Sequence, residues 1–180
     1  LRDKMNFFET SKDSENYLNE NGESNNVLFL PAFNGLGAPY WNSDIRAGFY
    51  GITQDSSVND MVTACFNSIA FQTKEIIMIL EKYDIEVSSL LVDGGMVQNS
   101  TFCKILANSL QKVILRPQNV ESTAVGACIV AMMASGENLD DIKVSDMDLF
   151  KTDAENIKDY KENYEEWRSY LSNTMNSKQL

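Results

Sequence analysis

Short apolar runs cut off by proline or glycine alternate, along this chain, with longer stretches whose apolar residues recur at helical spacing. Val27 to Leu30 is a continuous apolar run that ends at Pro31, and it predicts a buried strand. Ala47 to Thr53, with Phe49 and Tyr50 between Gly48 and Gly51, predicts a short strand with glycine bends. Leu90 to Val92 predicts a third strand, buried, stopped by Asp93-Gly94-Gly95. Val113 to Leu115 predicts a fourth, closed by Arg116-Pro117.

Between the runs lie the helices. Ser56 or Ser57 is the N-cap of a long one reaching about Tyr83. Its broad apolar face is Met61, Ala64, Cys65, Ile69, Phe71, Ile76, Ile79 and Leu80, with Gln72 and Lys74 on a solvated edge. A second runs from about Asn99 to Leu110 on Phe102, Ile105, Leu106 and Leu110. A third, Glu121 to Met133, holds Ala124, Gly126, Ala127, Ala131 and Ala134 in or near it, spaced so that another helix can approach closely. Gly136 is its stop.

The ends are more polar. Leu1 to Phe8 reads as the tail of a helix, and Glu9 to Asn26 as a solvated connection with a helical turn around Tyr17 and Leu18. Asp140 to Leu180 is acidic first, then places Tyr160, Tyr164, Trp167 and Tyr170 near one face of a docked final helix whose last residues fray. Strands and helices in this order predict an α/β layer, helices on a mixed sheet. The chain opens on Leu1-Arg2-Asp3-Lys4 in a mid-helix pattern, which predicts an excised piece of a longer protein.

Composition narrows the chemistry. The 180 residues suffice for one domain with a substantial core. A net charge of -11 argues against a nucleic-acid backbone or an anionic membrane as partner. It leaves a nucleotide open, because backbone N–H groups and Mg2+ can hold phosphate without Lys or Arg. With no histidine, any His base or His metal ligand must come from elsewhere. The three cysteines, Cys65, Cys103 and Cys128, are widely spaced and read as buried free thiols of a reducing cytosol. No apolar run is long enough to span a membrane.

The candidate chemistry centres on Leu90-Leu-Val-Asp-Gly-Gly-Met-Val-Gln-Asn99. Two adjacent glycines after a strand allow positive φ and let a ligand approach the main chain. Ligands of open α/β sheets bind in such turns, beyond the carboxyl ends of the strands. Pro31-Ala-Phe-Asn-Gly-Leu-Gly-Ala-Pro-Tyr-Trp41 is a second candidate. It is either an ordered loop pinned by its own aromatics or a loop facing a cleft.

These segments together resemble the FGGY family of carbohydrate kinases. Pro31 to Trp41 resembles the loop of its glycerol-phosphorylating members. Ala47-Gly-Phe-Tyr-Gly-Ile52 and the helix after it resemble a signature of the wider family. Leu91-Val-Asp-Gly-Gly-Met-Val-Gln-Asn99 resembles its nucleotide turn, and Glu121-Ser-Thr-Ala-Val-Gly-Ala127 the helix that follows. The likeness covers about Val27 to Gly136. Asn42 and Asn67 depart from it, standing where relatives carry Asp and an acid or Gln.

The resemblance implies an actin-like ATPase (ribonuclease-H-like) architecture of two domains around a cleft, this chain being most of the C-terminal one. It divides the chain into a connecting segment (1–26), a nucleotide-binding domain (27–136) and an acidic segment with a terminal helix (137–180). It implies ATP or ADP with Mg2+ as ligand, contacted by Gly95 and Asn99, with Gly94 shaping the turn. Asp93 is expected to orient the turn by hydrogen bonds rather than to bind metal. The catalytic base and most glycerol contacts would lie in a missing N-terminal kinase domain, so no catalytic and no metal-binding residue is assigned here. The implied activity is ATP-dependent phosphorylation of glycerol, in the cytoplasm. A xylulose- or gluconate-type sugar kinase and a noncatalytic actin-like binding module are the alternatives. Oligomeric state is left open.

Overall fold

The computed structural model describes residues 1–19, 21–118, 121–137, 146–155 and 157–176. The expected fraying of the last residues, 177–180, and residues 138–145 of the acidic stretch before the final helix lie outside them. The elements in chain order are α1 (Arg2–Met5), a 3-10 helix (Ser11–Tyr17), β1 (Leu28–Leu30), β2 (Gly48–Tyr50) and α2 (Val58–Lys82). There follow β3 (Ser89–Leu91), a second 3-10 helix (Gly95–Gln98), α3 (Ser100–Leu110), β4 (Val113–Pro117), α4 (Ser122–Ser135), β5 (Met147–Phe150) and α5 (Ile157–Asn176).

The strands form two sheets. β1 and β2 pair antiparallel, with Phe29 opposite Phe49. The other sheet has the order β3-β4-β5 and is mixed. β3 runs parallel to β4, Leu90 beside Ile114, and β5 runs antiparallel to β4. The α/β reading therefore holds, with β5 added. Met147 to Phe150 hides in the acidic stretch as four residues, too short to stand out as a strand.

Ser57 starts α2. Its hydroxyl accepts the Asp60 N–H at 3.2 Å, and the Asp60 carboxylate accepts the Ser57 N–H at 2.8 Å. Tyr83 ends it, as the pattern predicts. The buried face differs from the predicted one. Val62, Thr63, Ala64, Asn67, Ser68, Ala70, Phe71, Glu75 and Ile77 are inside, whereas Ile76 and Ile79 are exposed. Four elements, α3, β1, the first 3-10 helix and α5, pack on α2 at once, so polar residues with partners go in and some apolar ones stay out. Asn67, for example, is buried because its amide donates to the Gly22 carbonyl at 2.8 Å. Lys74 is not on a solvated edge either: its ammonium sits 4.4 Å from the centre of the Tyr164 ring.

The core lies between α2, α3 and one face of the mixed sheet. Phe102, Cys103, Ile105 and Leu106 of α3 meet Val62, Ala70 and Ile77 of α2 and Ile114 of β4. Leu18, from the segment read as solvated, is buried in the same core, and Ser14 and Ser24 are buried with it. A second cluster joins Leu28 and Leu30 to Phe71 and to Tyr164, Trp167 and Leu171 of α5. The final helix is thus docked by the aromatic face seen in the sequence, Tyr170 staying at its margin.

Two expectations of burial fail. β3 is an edge strand, and Leu91 is 66% exposed although Leu90 packs inward. An apolar run of three residues does not say how many faces of its sheet are covered. No residue of α4 is buried, and no helix lies in its small-residue groove among the described residues. Gly136 does end it, at φ 78°. Accordingly the cysteines differ: Cys103 is buried, Cys65 half-buried and Cys128 exposed, all free.

Candidate functional site

The turn after β3 is built by its own short-range chemistry. Gly94 has φ 94° and ψ 176°, a conformation open to glycine and costly for other residues. Its N–H donates to the Asp93 carboxylate at 2.6 Å. Asp93 therefore orients the turn, as expected, and is itself exposed. Gly95 opens the 3-10 helix, and a Cβ built on it would meet nothing within 4 Å beyond its chain neighbours and its own helix backbone. That face of the backbone is bare.

Asn99 ends the 3-10 helix and caps α3. Its Oδ1 accepts the Phe102 N–H at 2.8 Å, filling one of the orphan donors of the first turn. A second, the Thr101 N–H, goes to the Glu15 carboxylate at 3.1 Å. With Oδ1 so used, the amide nitrogen Nδ2 of Asn99 is left shielded from water without a hydrogen-bond partner. A buried donor in that state costs about 1–3 kcal/mol until something accepts from it.

A groove of about 560 Å3 opens over these groups. One wall is the turn: Gly95, Met96, Gln98 and Asn99. The other is Phe8, Ser11, Lys12, Ser14 and Glu15, joined by Phe66 of α2. The structure thus brings Gly95 and Asn99 together on one surface, while Gly94 stands behind it and shapes the bend. Sequence reasoning missed the second wall. Phe8 read only as the end of a helix tail, Phe66 was not singled out, and the Glu15–Thr101 contact spans 86 positions with no local signal. A mostly apolar lining, bare backbone and an asparagine with one unpartnered amide donor suit a flat heterocycle or a ribose with acceptor atoms. Lys12 stands on the exposed rim as the cation there.

The Pro31 to Trp41 loop is ordered and divided in its exposure. Ala32 and Leu36 are buried, and the backbone of Leu36 and Asn42 pairs in both directions, at 2.7 and 3.0 Å. Tyr40 packs on the second core cluster, where burial and the nearby Glu75 carboxylate push its phenol well above the ordinary range. Tyr164 also donates to Glu75, and Arg168 pairs with it at 3.2 Å. Phe33 and Trp41, by contrast, are 71% and 80% exposed. Tyr40 pins the loop, as the first reading expects, while Phe33 and Trp41 are exposed to solvent.

Among the described residues no group of three Asp, Glu, Cys or His side chains stands ready to hold a metal ion, and no helix is long and apolar enough to cross a membrane.

Comparison with known proteins gives a consistent picture. Residues 3–135 match the C-terminal domain of the FGGY family of carbohydrate kinases. A glycerol kinase of Ligilactobacillus salivarius (strain UCC118) is 38% identical over 146 residues, 79% of this chain and 29% of that protein. Among solved structures, the Plasmodium falciparum glycerol kinase with ADP has a TM-score of 0.76 and 29% identity, over 93% of this chain and 34% of that one. The ligand-bound xylulose kinase of Lactobacillus acidophilus has a TM-score of 0.71 at 21% identity, over 89% of this chain and 33% of that one. The chain therefore spans about a third of the length of these relatives.

Proposed function

The chain belongs to the FGGY family of carbohydrate kinases as its C-terminal domain, and on that premise we propose that it is the adenosine-binding wall of a glycerol kinase. Its α/β fold is the actin-like one of those enzymes. The full-length parent transfers the γ-phosphoryl of ATP to a terminal hydroxyl of glycerol. A glycerol oxygen–phosphorus bond forms, the bond to the β-phosphate oxygen breaks, and the hydroxyl proton passes to a base in the part of the parent outside this chain. The products are sn-glycerol 3-phosphate and ADP. Mg2+ would arrive on the ATP phosphates and neutralise their charge.

One observation carries this reading: Asn99, whose shielded amide donor Nδ2 has no partner, lines one groove with the bare backbone of Gly95. The fixed amide can donate to an acceptor on the adenine or ribose, and Gly95 leaves room for it. Residues 27–136 hold this unit. Residues 1–26 connect it to a preceding domain and lend Phe8 to Glu15 to the opposite wall, and 137–180 carry the acidic segment and the terminal helix. Closure of the two domains would exclude water and bring the phosphates to the glycerol. Glycerol is favoured over a five-carbon sugar by the Pro31 to Trp41 loop and by the higher identity to the glycerol kinase structure, 29% against 21% for the xylulose kinase. Activity in the cytoplasm, where ATP is supplied, fits this role.

Gly95→Val in the full-length parent tests the reading. Beyond its chain neighbours and its own helix backbone, nothing lies within 4 Å of the added Cβ, so the variant should fold and fill the groove. The KM for ATP should rise at least about tenfold, the effect of a lost well-placed contact, while the KM for glycerol holds. Unchanged ATP kinetics would remove this groove from the site.

A further inference from the structure

Arg116 stands at the end of β4, behind the turn, and its guanidinium is directed two ways. Nη1 donates to the carbonyl oxygens of Val97 and Gln98 at 2.7 and 3.2 Å, and to the Ser100 hydroxyl at 3.2 Å. Nε and Nη2 donate to one carboxylate oxygen of Asp148 on β5, at 3.1 and 2.6 Å. The group also lies 5.0 Å from the centre of the Phe150 ring. Its side chain is 14% exposed, that of Asp148 41%.

Val97 and Gln98 close the 3-10 helix that begins at Gly95, and their carbonyls are at the end where such groups need partners from outside the helix. The Cys103 thiol shares the Val97 carbonyl at 3.3 Å. Arg116 is the charged donor there, and the next residue in the chain is Asn99. A planar fork held by a carboxylate on one side fixes these carbonyls in direction as well as distance.

We propose that Arg116, held by Asp148, is the positioning residue of the nucleotide turn: it locks the Gly95–Gln98 helix and so sets the aim of the Asn99 amide. The inference rests on the nucleotide-wall reading given above. Arg116 acts through the turn and not by touching the nucleotide. The two outer strands of the sheet, β3 and β5, thereby bear on one site, β3 through the chain and β5 through Asp148.

The test uses the full-length parent enzyme, with ATP and glycerol varied separately. R116M should raise the KM for ATP roughly tenfold, as a misaimed contact does, and leave the KM for glycerol unchanged. R116K keeps a charge near Asp148 without the fork and should fall between R116M and the parent. D148N, at a half-exposed position, should fold and move the KM for ATP in the same direction by less. G95V is the control. If G95V raises the KM for ATP and neither R116M, R116K nor D148N does, or if the Arg116 variants raise both KM values together, the positioning role is wrong and the groove stands. If G95V itself leaves the KM for ATP unchanged, the wall reading falls and this inference falls with it.

Discussion

The carboxylate of Glu15 accepts the backbone N–H of Thr101 at 3.1 Å, so a residue from the first 3-10 helix caps a helix that begins 85 positions later at Ser100. The negative charge also sits at the positive end of the α3 dipole. Replacing Glu15 by Ala should lower unfolding stability by about 1 kcal/mol, the usual cost of a lost N-terminal cap. Glu15→Gln, which keeps an acceptor, should lose less. Urea denaturation of the three chains checks this, and equal midpoints would show the contact to be idle.

Asn99 has two duties that substitution can separate. Asn99→Asp retains an oxygen for the Phe102 N–H and places a charge favourably at the helix start. It removes the donor Nδ2. The variant parent enzyme should melt no lower than the unmodified one and yet bind ADP more weakly. Asn99→Ala should lose both, with about 1 kcal/mol of stability gone. Calorimetry with ADP and thermal melts together decide it. An Asp variant with full ADP affinity would take Nδ2 out of the site.

The two shielded thiols give stability a pH dependence of predictable sign. Burial pushes Cys103 from an ordinary 9.0 up to about 11, against the opposing pull of Arg116. Burial likewise pushes Cys65 up to about 12. Below 9.0 the folded and unfolded chains both keep these protons. Above it the unfolded chain releases them first, so stability falls as pH rises through the window from 9.0 to about 11 for Cys103. Tyr160 and Tyr164, also raised by burial, steepen the decline from their ordinary 10.0. Urea midpoints measured across this range should drop, and a Cys65→Ala, Cys103→Ala chain should drop less between pH 9.0 and the tyrosine range. An identical slope in the two chains would clear the thiols.

Trp167 is 2% exposed, and its indole N–H donates to the Phe29 carbonyl at 2.9 Å. It fastens α5 to β1. Trp167→Ala should cost roughly 3–5 kcal/mol, the range for deleting a buried aromatic. Trp167→Phe should cost less but leave the Phe29 carbonyl without its donor. Loss below about 1 kcal/mol for the Ala variant, in chemical denaturation, would mean that α5 is not held through this residue.

These residues also show what a sequence can reveal. Trp167 was legible because its aromatic neighbours repeat at helical spacing, and the Ser57 cap and Gly136 stop because their signals are local. The Asp93-Gly94-Gly95 bend was legible for the same reason. Leu91 was misjudged, since a three-residue apolar run looks alike on an edge and in the middle of a sheet. Ile76 and Ile79 were misjudged because α2 meets several partners, and the chosen side is set by packing rather than by periodicity alone. Half of the groove was hidden entirely: Glu15, Phe8 and Phe66 reach it only through tertiary contacts. Arg116 read as the close of a strand, and nothing near it in sequence announces Asp148.

The most direct check on the central claim is a crystal structure of the full-length parent with ADP bound. The adenosine should lie over Gly95, with an acceptor atom at hydrogen-bond distance from Asn99 Nδ2 and with Phe8 or Phe66 against its apolar face. ADP seated elsewhere, with the groove between the Gly95–Asn99 turn and the Phe8–Glu15 segment filled by protein, would contradict it.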